Sequence, residues 1–396
     1  MAYNTGMRTS YTDTSHGVRS VSDVIWMMDW TRAPLLNLLT IDAASKFKLR
    51  NWPSRKPELY EDSLVSRSSL LNEALDNSET AVDVDDGTAF RKGDIVGVED
   101  SDGDIAEKMY VSSVSSNTLT VVRGYGATSA TTHDDNSPIR VLTRAMPEGE
   151  AYTTGPTTSV SGVYNYVQLF SEAVKVTGTE QAISSQGGYY GVADQMAYQV
   201  RKLFNDNGRA GQLARMLEAT FYYGERVERT GDNALSGSMG GFETFVTTNV
   251  TDLSGAEITR KDIHTTIRQI HDAAGMPDLL ICSALGKEKI TAMYEGSIRT
   301  ERPENTGGSE ITMIKTPLGE VEVLWGGDQC PNDRYYFVDS SRVGWFPIPT
   351  RQFHTKPMRE GSDWQGDFFV TDIIGEYSFM VANEEGHGII KGAKRT

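Results

Sequence analysis

At 396 residues, with 38% hydrophobic and 23% charged content, the chain is long enough for two or three domains and has the composition of a folded protein. Its net charge of −16 argues against a body that grips nucleic acid non-specifically. No apolar run reaches bilayer length and the polar first 20 residues lack an apolar core, so neither a membrane span nor a secretory signal is expected, and the protein is expected to stay in the cytosol.

The charge is uneven. Residues 1–57 hold 8 Lys/Arg against 4 Asp/Glu, residues 58–150 hold 7 against 19, and the remainder holds 23 against 31. A basic arm precedes an acidic segment and is free to touch an acidic neighbour. Within the arm, Ser20 or Ser22 can cap a short helix through Val24, Ile25, Met28 and Trp30, with Pro34 as its stop. Trp26 and Trp30, four apart, share a face that needs cover, either from their own domain or from a neighbouring subunit.

From Asp76 to Arg144 the pattern becomes strands separated by turns. Val82–Val84, Ile95–Val98, Met109–Val114, Thr118–Val122 and Ile139–Leu142 are β-rich, and pairs such as Asp86-Gly87 and Asp102-Gly103 mark the turns. Five strands in so short a span predict a small β-barrel or sandwich with its own core. Val160–Val176 is again extended.

Gly191 to about Glu228 then predicts one long helix, or two in line. Val192, Met196, Val200 and Leu203 share a face, the stripe resumes at Ala210, Ala214, Leu217 and Phe221, and Asn207-Gly208 between them offers a place to kink. After a loop at Ser236–Gly241 come a helix at Ile258–Gly275, a buried strand at Leu279–Cys282 and a helix at Leu285–Tyr294. The C-terminal third is strand-rich, with a hairpin of Ile311–Lys315 and Val321–Trp325 around Thr316-Pro317-Leu318-Gly319, and strands at Tyr335–Val338, Phe368–Ile374 and Tyr377–Val381.

No candidate catalytic or metal motif has the spacing its chemistry needs. Cys282 and Cys330 lie 48 apart without a C-x-x-C pair and read as reduced thiols. His264 and His271 are two helical turns apart, too far for a zinc-binding helix, and Gly286-Lys287 lacks the earlier glycine of a phosphate loop. Near Ser238 the glycines are misplaced for a nucleophile elbow. Asp100, Asp102 and Asp104 alternate like calcium ligands, but the glycine and the bidentate glutamate are out of place, so a solvated turn is expected. No enzyme activity, cofactor or metal is expected.

Several stretches, taken in order, carry a resemblance: Thr118–Gly126, Asn165–Glu180, Met239–Phe242, Gly275–Ser283 and Gly361–Ala382. With them the chain resembles a major capsid protein of the tailed bacteriophages, from the branch with a β-rich insertion in its extended loop. The resemblance implies an α+β capsid-shell fold: an N-terminal arm at 1–50, an extended loop at 51–75 and 145–180, and an inserted all-β domain at 76–144. A peripheral domain at 181–236 and 350–396 would carry the spine helix 191–228, and an axial domain would fill 237–349. It further implies self-assembly into hexamers and pentamers of an icosahedral shell around double-stranded DNA in a virion assembled in the host cytoplasm. A portal, a separate scaffolding protein, since the chain starts directly at the arm, and a possible decoration protein would be its partners; no membrane would be. On this reading the arm clasps a neighbour, with Trp26 and Trp30 as candidate contact residues.

Two other readings are an encapsulin-like compartment shell and a carbohydrate- or cell-binding virion protein, the latter motivated by Tyr110 and Tyr125 on the acidic segment. Lys56, Lys92, Lys108 and Asn383 match no known cross-linking motif, so no covalent joining of subunits is expected.

Overall fold

The computed structural model describes residues 33–40, 54–62, 65–99, 104–146, 148–149, 158, 160–182, 195–203, 211–229, 236–294, 313–360 and 366–395. The chain divides into a smaller unit, Tyr60–Ser161, and a larger one of Met1–Leu59 with Gly162–Thr396.

Strand β1 (Glu58–Glu61) leads into the smaller unit, an antiparallel sheet of β2 (Ser68–Leu70), β3 (Ala81–Asp83), β4 (Asp94–Glu99), β5 (Ile105–Ser115), β6 (Thr118–Val122) and β7 (Pro138–Arg144). The strand order is β2-β7-β4-β5-β6-β3. Its two outer strands then meet: Leu71 bridges Val84, the Asn72 N–H donates to the Asp83 carbonyl at 2.9 Å, and the Asp85 N–H donates to the Leu70 carbonyl at 3.0 Å. The sheet therefore closes into a small barrel. Each strand expected here falls on one of β3 to β7. The additional β2 has the sequence Ser-Ser-Leu, without a β-branched residue to announce it. Alternation points Met109 and Val111 of β5 inward against Val96, Val98, Leu119, Val121 and Ile139, all buried.

The larger unit contains helices α1 (Pro34–Thr40), α2 (Gly178–Ala182), α3 (Gln195–Leu203), α4 (Gln212–Tyr223), α5 (Phe242–Phe245), α6 (Arg260–Asp272) and α7 (Ala284–Tyr294). Its strands are β8 (Ser161–Tyr164), which begins at the boundary, β9 (Gln168–Thr177), β10 (Val250–Asp252), β11 (Leu279–Cys282), β12 (Met313–Thr316) and β13 (Gly319–Trp325). They continue with β14 (Tyr335–Val338), β15 (Val343–Pro347), β16 (His354–Thr355), β17 (Arg359–Glu360), β18 (Phe368–Val381) and β19 (Gly388–Lys391). A mixed sheet runs β10-β19-β14-β11-β13-β12. Leu280, Cys282, Tyr335 and Phe337 on one face pack with Ile263, Ile267 and Ile270 of α6 and Ile290 of α7. On the other face Leu279, Ile281, Tyr336 and Val338 join the core that contains α1 and α4. Burial on both faces explains why β11 and β14 are unbroken apolar runs.

Two expectations are corrected. Of the two forms expected for 191–228, one long helix or two, the described residues show two, and the second ends at Tyr223, short of Glu228. They are α3 and α4, each with its stripe buried or half-buried, Val200 and Leu203 in the first and Ala214, Leu217 and Phe221 in the second. Asn207 and its expected kink lie outside the described residues, but Gly211, with φ of 108°, stops any helix running into α4. At the other end α4 stops at Tyr223 because Gly224 presses against Gly241. A Cβ on Gly224 would lie 2.6 Å from the Gly241 nitrogen, and one on Gly241 would lie 2.3 Å from the Thr220 carbonyl oxygen. The chain beyond is extended, and Val227 pairs with Ser238.

Pro34 starts a helix; the one expected ahead of it, through Val24 and Trp30, lies outside the described residues. At the first helical position its missing N–H costs nothing and its fixed φ suits the turn. Finally, Phe368–Ile374 and Tyr377–Val381 are one strand, β18, paired with β9 from Phe368 to Tyr377 and with β15 from Tyr377 to Val381. Gly375 reads as a break, yet a Cβ there would sit 2.4 Å from the Phe353 ring, so the glycine makes room for an aromatic packed on the strand.

Candidate functional site

Trp26 and Trp30, the candidate contact residues, lie outside the described residues, as do Asp100 and Asp102; Asp104 is exposed. Most of the remaining candidates have structural employment. Cys282 and Cys330 are buried free thiols, each pushed up to about 12 by burial. The Ser238 hydroxyl donates to the Glu225 carbonyl at 2.6 Å. His264 is exposed, and His271 meets the Leu318 carbonyl at 2.8 Å. Gly286 lies against Tyr335, where a Cβ would approach the ring to 3.0 Å. Tyr110 and Tyr125 stack on each other at 5.8 Å between centroids. Among the described residues no group of three His, Cys, Asp or Glu side chains is placed to hold a metal, and no helix is long and apolar enough to cross a membrane.

What the structure builds instead are polar centres that fix chain segments to one another. In the barrel, the alternation of β5 puts a carboxylate, Glu107, at a fully buried position beside Met109 and Val111. Arg123 donates to it twice, at 2.9 and 2.7 Å, and the N–H groups of Gly124 and Thr131 donate at 2.8 and 3.1 Å. His133 Nε2 lies 3.2 Å away. Burial alone would raise the Glu107 pKa; Arg123, the two N–H groups and His133 outweigh it and hold the carboxyl at about 2.

In the larger unit the fully buried Asn165 uses its whole amide. Its Nδ2 donates to the carbonyls of Gly240 at 3.0 Å and Phe379 at 2.5 Å, while Oδ1 accepts from the N–H groups of Gly240 and Tyr166, both at 2.8 Å. His387, also fully buried, accepts at Nδ1 from the Asp339 N–H at 3.2 Å, which leaves Nε2–H to donate to the Ala382 carbonyl at 3.2 Å. Burial keeps it neutral, with its pKa lowered to about 4. Glu218 of α4 accepts the Leu36 N–H at 3.2 Å and so fastens α1, whose Leu35, Leu36 and Leu39 are buried in the core. Burial pushes its carboxyl up to about 8 against the opposing pull of the Leu36 and Leu35 N–H groups and Arg215.

One cluster faces outward. The segment 55–57 is tied to 165–167 through the Asn165 N–H to the Pro57 carbonyl and the Val167 N–H to the Arg55 carbonyl, both at 3.1 Å. This sets Lys56 Nζ 4.0 Å from the centroid of the Tyr164 ring and 2.9 Å from Glu58. The Arg226 guanidinium lies 4.7 Å from the same ring and 4.8 Å from that of Phe245. Its Nε is buried without a hydrogen-bond partner. Gly240, held by Asn165, leaves the space: a Cβ there would meet Arg226 Cβ at 3.2 Å. Sequence reasoning passes over this group because Arg226 draws its aromatic partners from positions 164 and 245. The one local signal is an arginine among Glu225 and Glu228, beside the glycine-rich stretch Met239–Phe242.

Solved structures with this architecture are capsid subunits. The capsid of a native GTA particle superposes with a TM-score of 0.53 at 9% identity over 98% of this chain and 99% of that one. The capsid asymmetric unit of cyanophage A-1(L) gives 0.51 at 10% identity over 98% and 100%. An encapsulin complex from Synechococcus elongatus PCC 7942 aligns over only 60% of this chain and 79% of its own, with a TM-score of 0.40 at 10% identity, too low to bear on the assignment. No match is found among curated proteins. The fold is thus that of phage capsid shell proteins. The family model for the SU10 major capsid protein matches residues 4–394, and the chain belongs to that family. It is a structural protein of the virion capsid, and its buried polar centres serve a scaffold, not a reaction.

Proposed function

We propose that the chain assembles into hexamers and pentamers that tile an icosahedral shell around double-stranded DNA. The observation that carries this reading is the family match across residues 4–394, which spans the arm, the loop and both ends of the larger unit. In this reading 1–50 is the arm that clasps a neighbour through Trp26 and Trp30. Segments 51–75 and 145–180 form the extended loop, 181–236 with 350–396 the peripheral domain, and 237–349 the axial domain. Residues 76–144 are an insertion in the loop, supported by the separate core of the Tyr60–Ser161 unit. A portal, a separate scaffolding protein and a decoration protein are the partners implied, with assembly in the host cytoplasm. The acidic body suits a shell that encloses DNA without sticking to it. Many weak contacts acting together suffice to hold it closed.

Negative-stain electron microscopy of the purified chain across a concentration series tests the proposal. Closed shells, or rings of five and six subunits, are the expected result. A monomer at every concentration, with and without co-expressed scaffold, would sink it.

A further inference from the structure

We infer that Arg226, set between Tyr164 and Phe245, takes a carboxylate from a second copy of the chain. The inference rests on the shell reading and names one of its contacts.

Arg226 differs from the ion-paired arginines of the described chain. Arg123, Arg144, Arg351 and Arg359 each have a carboxylate, on Glu107, Asp94, Glu376 and Asp372. Arg226 has none among the described residues, although the chain carries 54 acids to 38 bases. It is nevertheless held in place. Two rings lie against its guanidinium, its Nε is buried, and its backbone neighbour Val227 is fixed by reciprocal hydrogen bonds with Ser238, each 3.1 Å. A guanidinium fixed in this way has already lost much of its rotamer freedom, so docking a planar carboxylate on its terminal N–H groups costs little more ordering. Such a bond is charge-assisted, and stacking on the rings supplies the orientation that a bidentate pair needs.

The partner is a carboxylate and not the genome's phosphates because of what surrounds the arginine. Glu58, Glu225 and Glu228 are exposed beside this cluster, and Lys56 is already paired with Glu58. A polyanion would meet those acids along its length, whereas a single carboxylate can reach Arg226 alone. A second copy, carrying a net charge of −16 and brought alongside by the shell, has carboxylates to offer.

The test uses the full chain. Arg226→Gln should melt like the wild type, yet need about tenfold more protein to form shells, and its assembly should weaken less steeply with added NaCl. Arg226→Lys supplies an amine that a carbodiimide can join to a touching carboxylate. In shells built from mixed light and heavy isotope-labelled copies of that variant, the expected product is an amide from the introduced amine at position 226 of one label to an Asp or Glu of the other, absent from unassembled subunits. Wild-type assembly with unchanged concentration and salt dependence in Arg226→Gln would overturn the contact, as would cross-links confined to one copy. A variant that assembles normally but loses only retained DNA would assign the arginine to phosphate and overturn it equally. Failure of the wild-type chain to form any shell would instead remove the assembly reading, a result the assembly control reports separately.

Discussion

The barrel and the larger unit bury polar groups in opposite ways. The barrel keeps a full ion pair at its centre: Glu107 is buried and charged, and Arg123 reaches it from across the β5–β6 hairpin. The larger unit keeps its centres neutral or close to it, with Asn165 as an amide, His387 as a neutral imidazole and Glu218 raised toward neutral pH. A buried charge is tolerable when every lone pair has a donor, and five contacts around Glu107 meet that condition. A large core of packed aromatics has fewer donors to spend on any one group, and there neutrality is the cheaper solution. Phe221 alone contacts the rings of Tyr222, Phe242, Tyr336, Trp345 and Phe379. The two units should therefore respond to different insults.

The largest expected effect is in the barrel. Glu107→Ala leaves the Arg123 side chain, 7% exposed, without its counter-ion and should destabilise the barrel by about 3–5 kcal/mol. Differential scanning calorimetry of the full chain should show one transition move while the other stays. Equal shifts in both would break the comparison.

Acid gives the next effect. His387 has a folded pKa of about 4 against the ordinary 6.5, so the folded state binds fewer protons, and the stability it contributes is present above 6.5 and lost as pH falls toward 4. Glu107, held at about 2 against 4.5, keeps its contribution until pH falls below 4.5. Between pH 6.5 and 4.5 His387 should cost the larger unit on the order of 2 kcal/mol, which Glu218, protonated in the fold but ionised in the unfolded chain over that range, offsets; in a Glu218→Gln background the loss should appear while the barrel is unchanged. His387→Gln should flatten that slope, and a slope unchanged in the variant would assign it to other groups.

How much of this was legible in the sequence depends on what each residue type announces. Leu279–Cys282 and Tyr335–Val338 were readable because four consecutive apolar residues buried on both faces leave no other option. Glu107 was not, because a carboxylate in a strand reads as solvent-facing and its arginine is 16 residues away. The break expected between Ile374 and Tyr377 fails because a glycine permits two backbone outcomes, and the packing of Phe353 on β18 chooses between them. The expected contact residues Trp26 and Trp30 rest on the resemblance and on helical spacing, while the Arg226 cluster depends on side chains that only the fold brings together.

The smallest effect concerns α1. With a folded pKa of about 8 against 4.5, Glu218 favours the fold when protonated, and its contribution is full below 4.5 and lost as pH rises through 8. Glu218→Gln, neutral at every pH and still able to accept the Leu36 N–H, should be the more stable protein by about 1–2 kcal/mol at pH 8, with the gap closing toward pH 5. Hydrogen exchange at Leu35 and Leu36 measured across that range would show whether α1 loosens first. Equal protection at pH 5 and 9 would contradict the latch.

The closure of the barrel at Leu71 and Val84 has a consequence for a protein that works crowded against its own copies. An open sheet presents a row of unpaired amides, and at the local concentrations of a shell wall such rows invite strand addition between neighbours, with fibres or exchanged strands as the outcome. A ring of strands whose first and last members satisfy each other offers no such template. The barrels of neighbouring copies can then touch through side-chain contacts alone, which can be made and remade as a lattice corrects its errors.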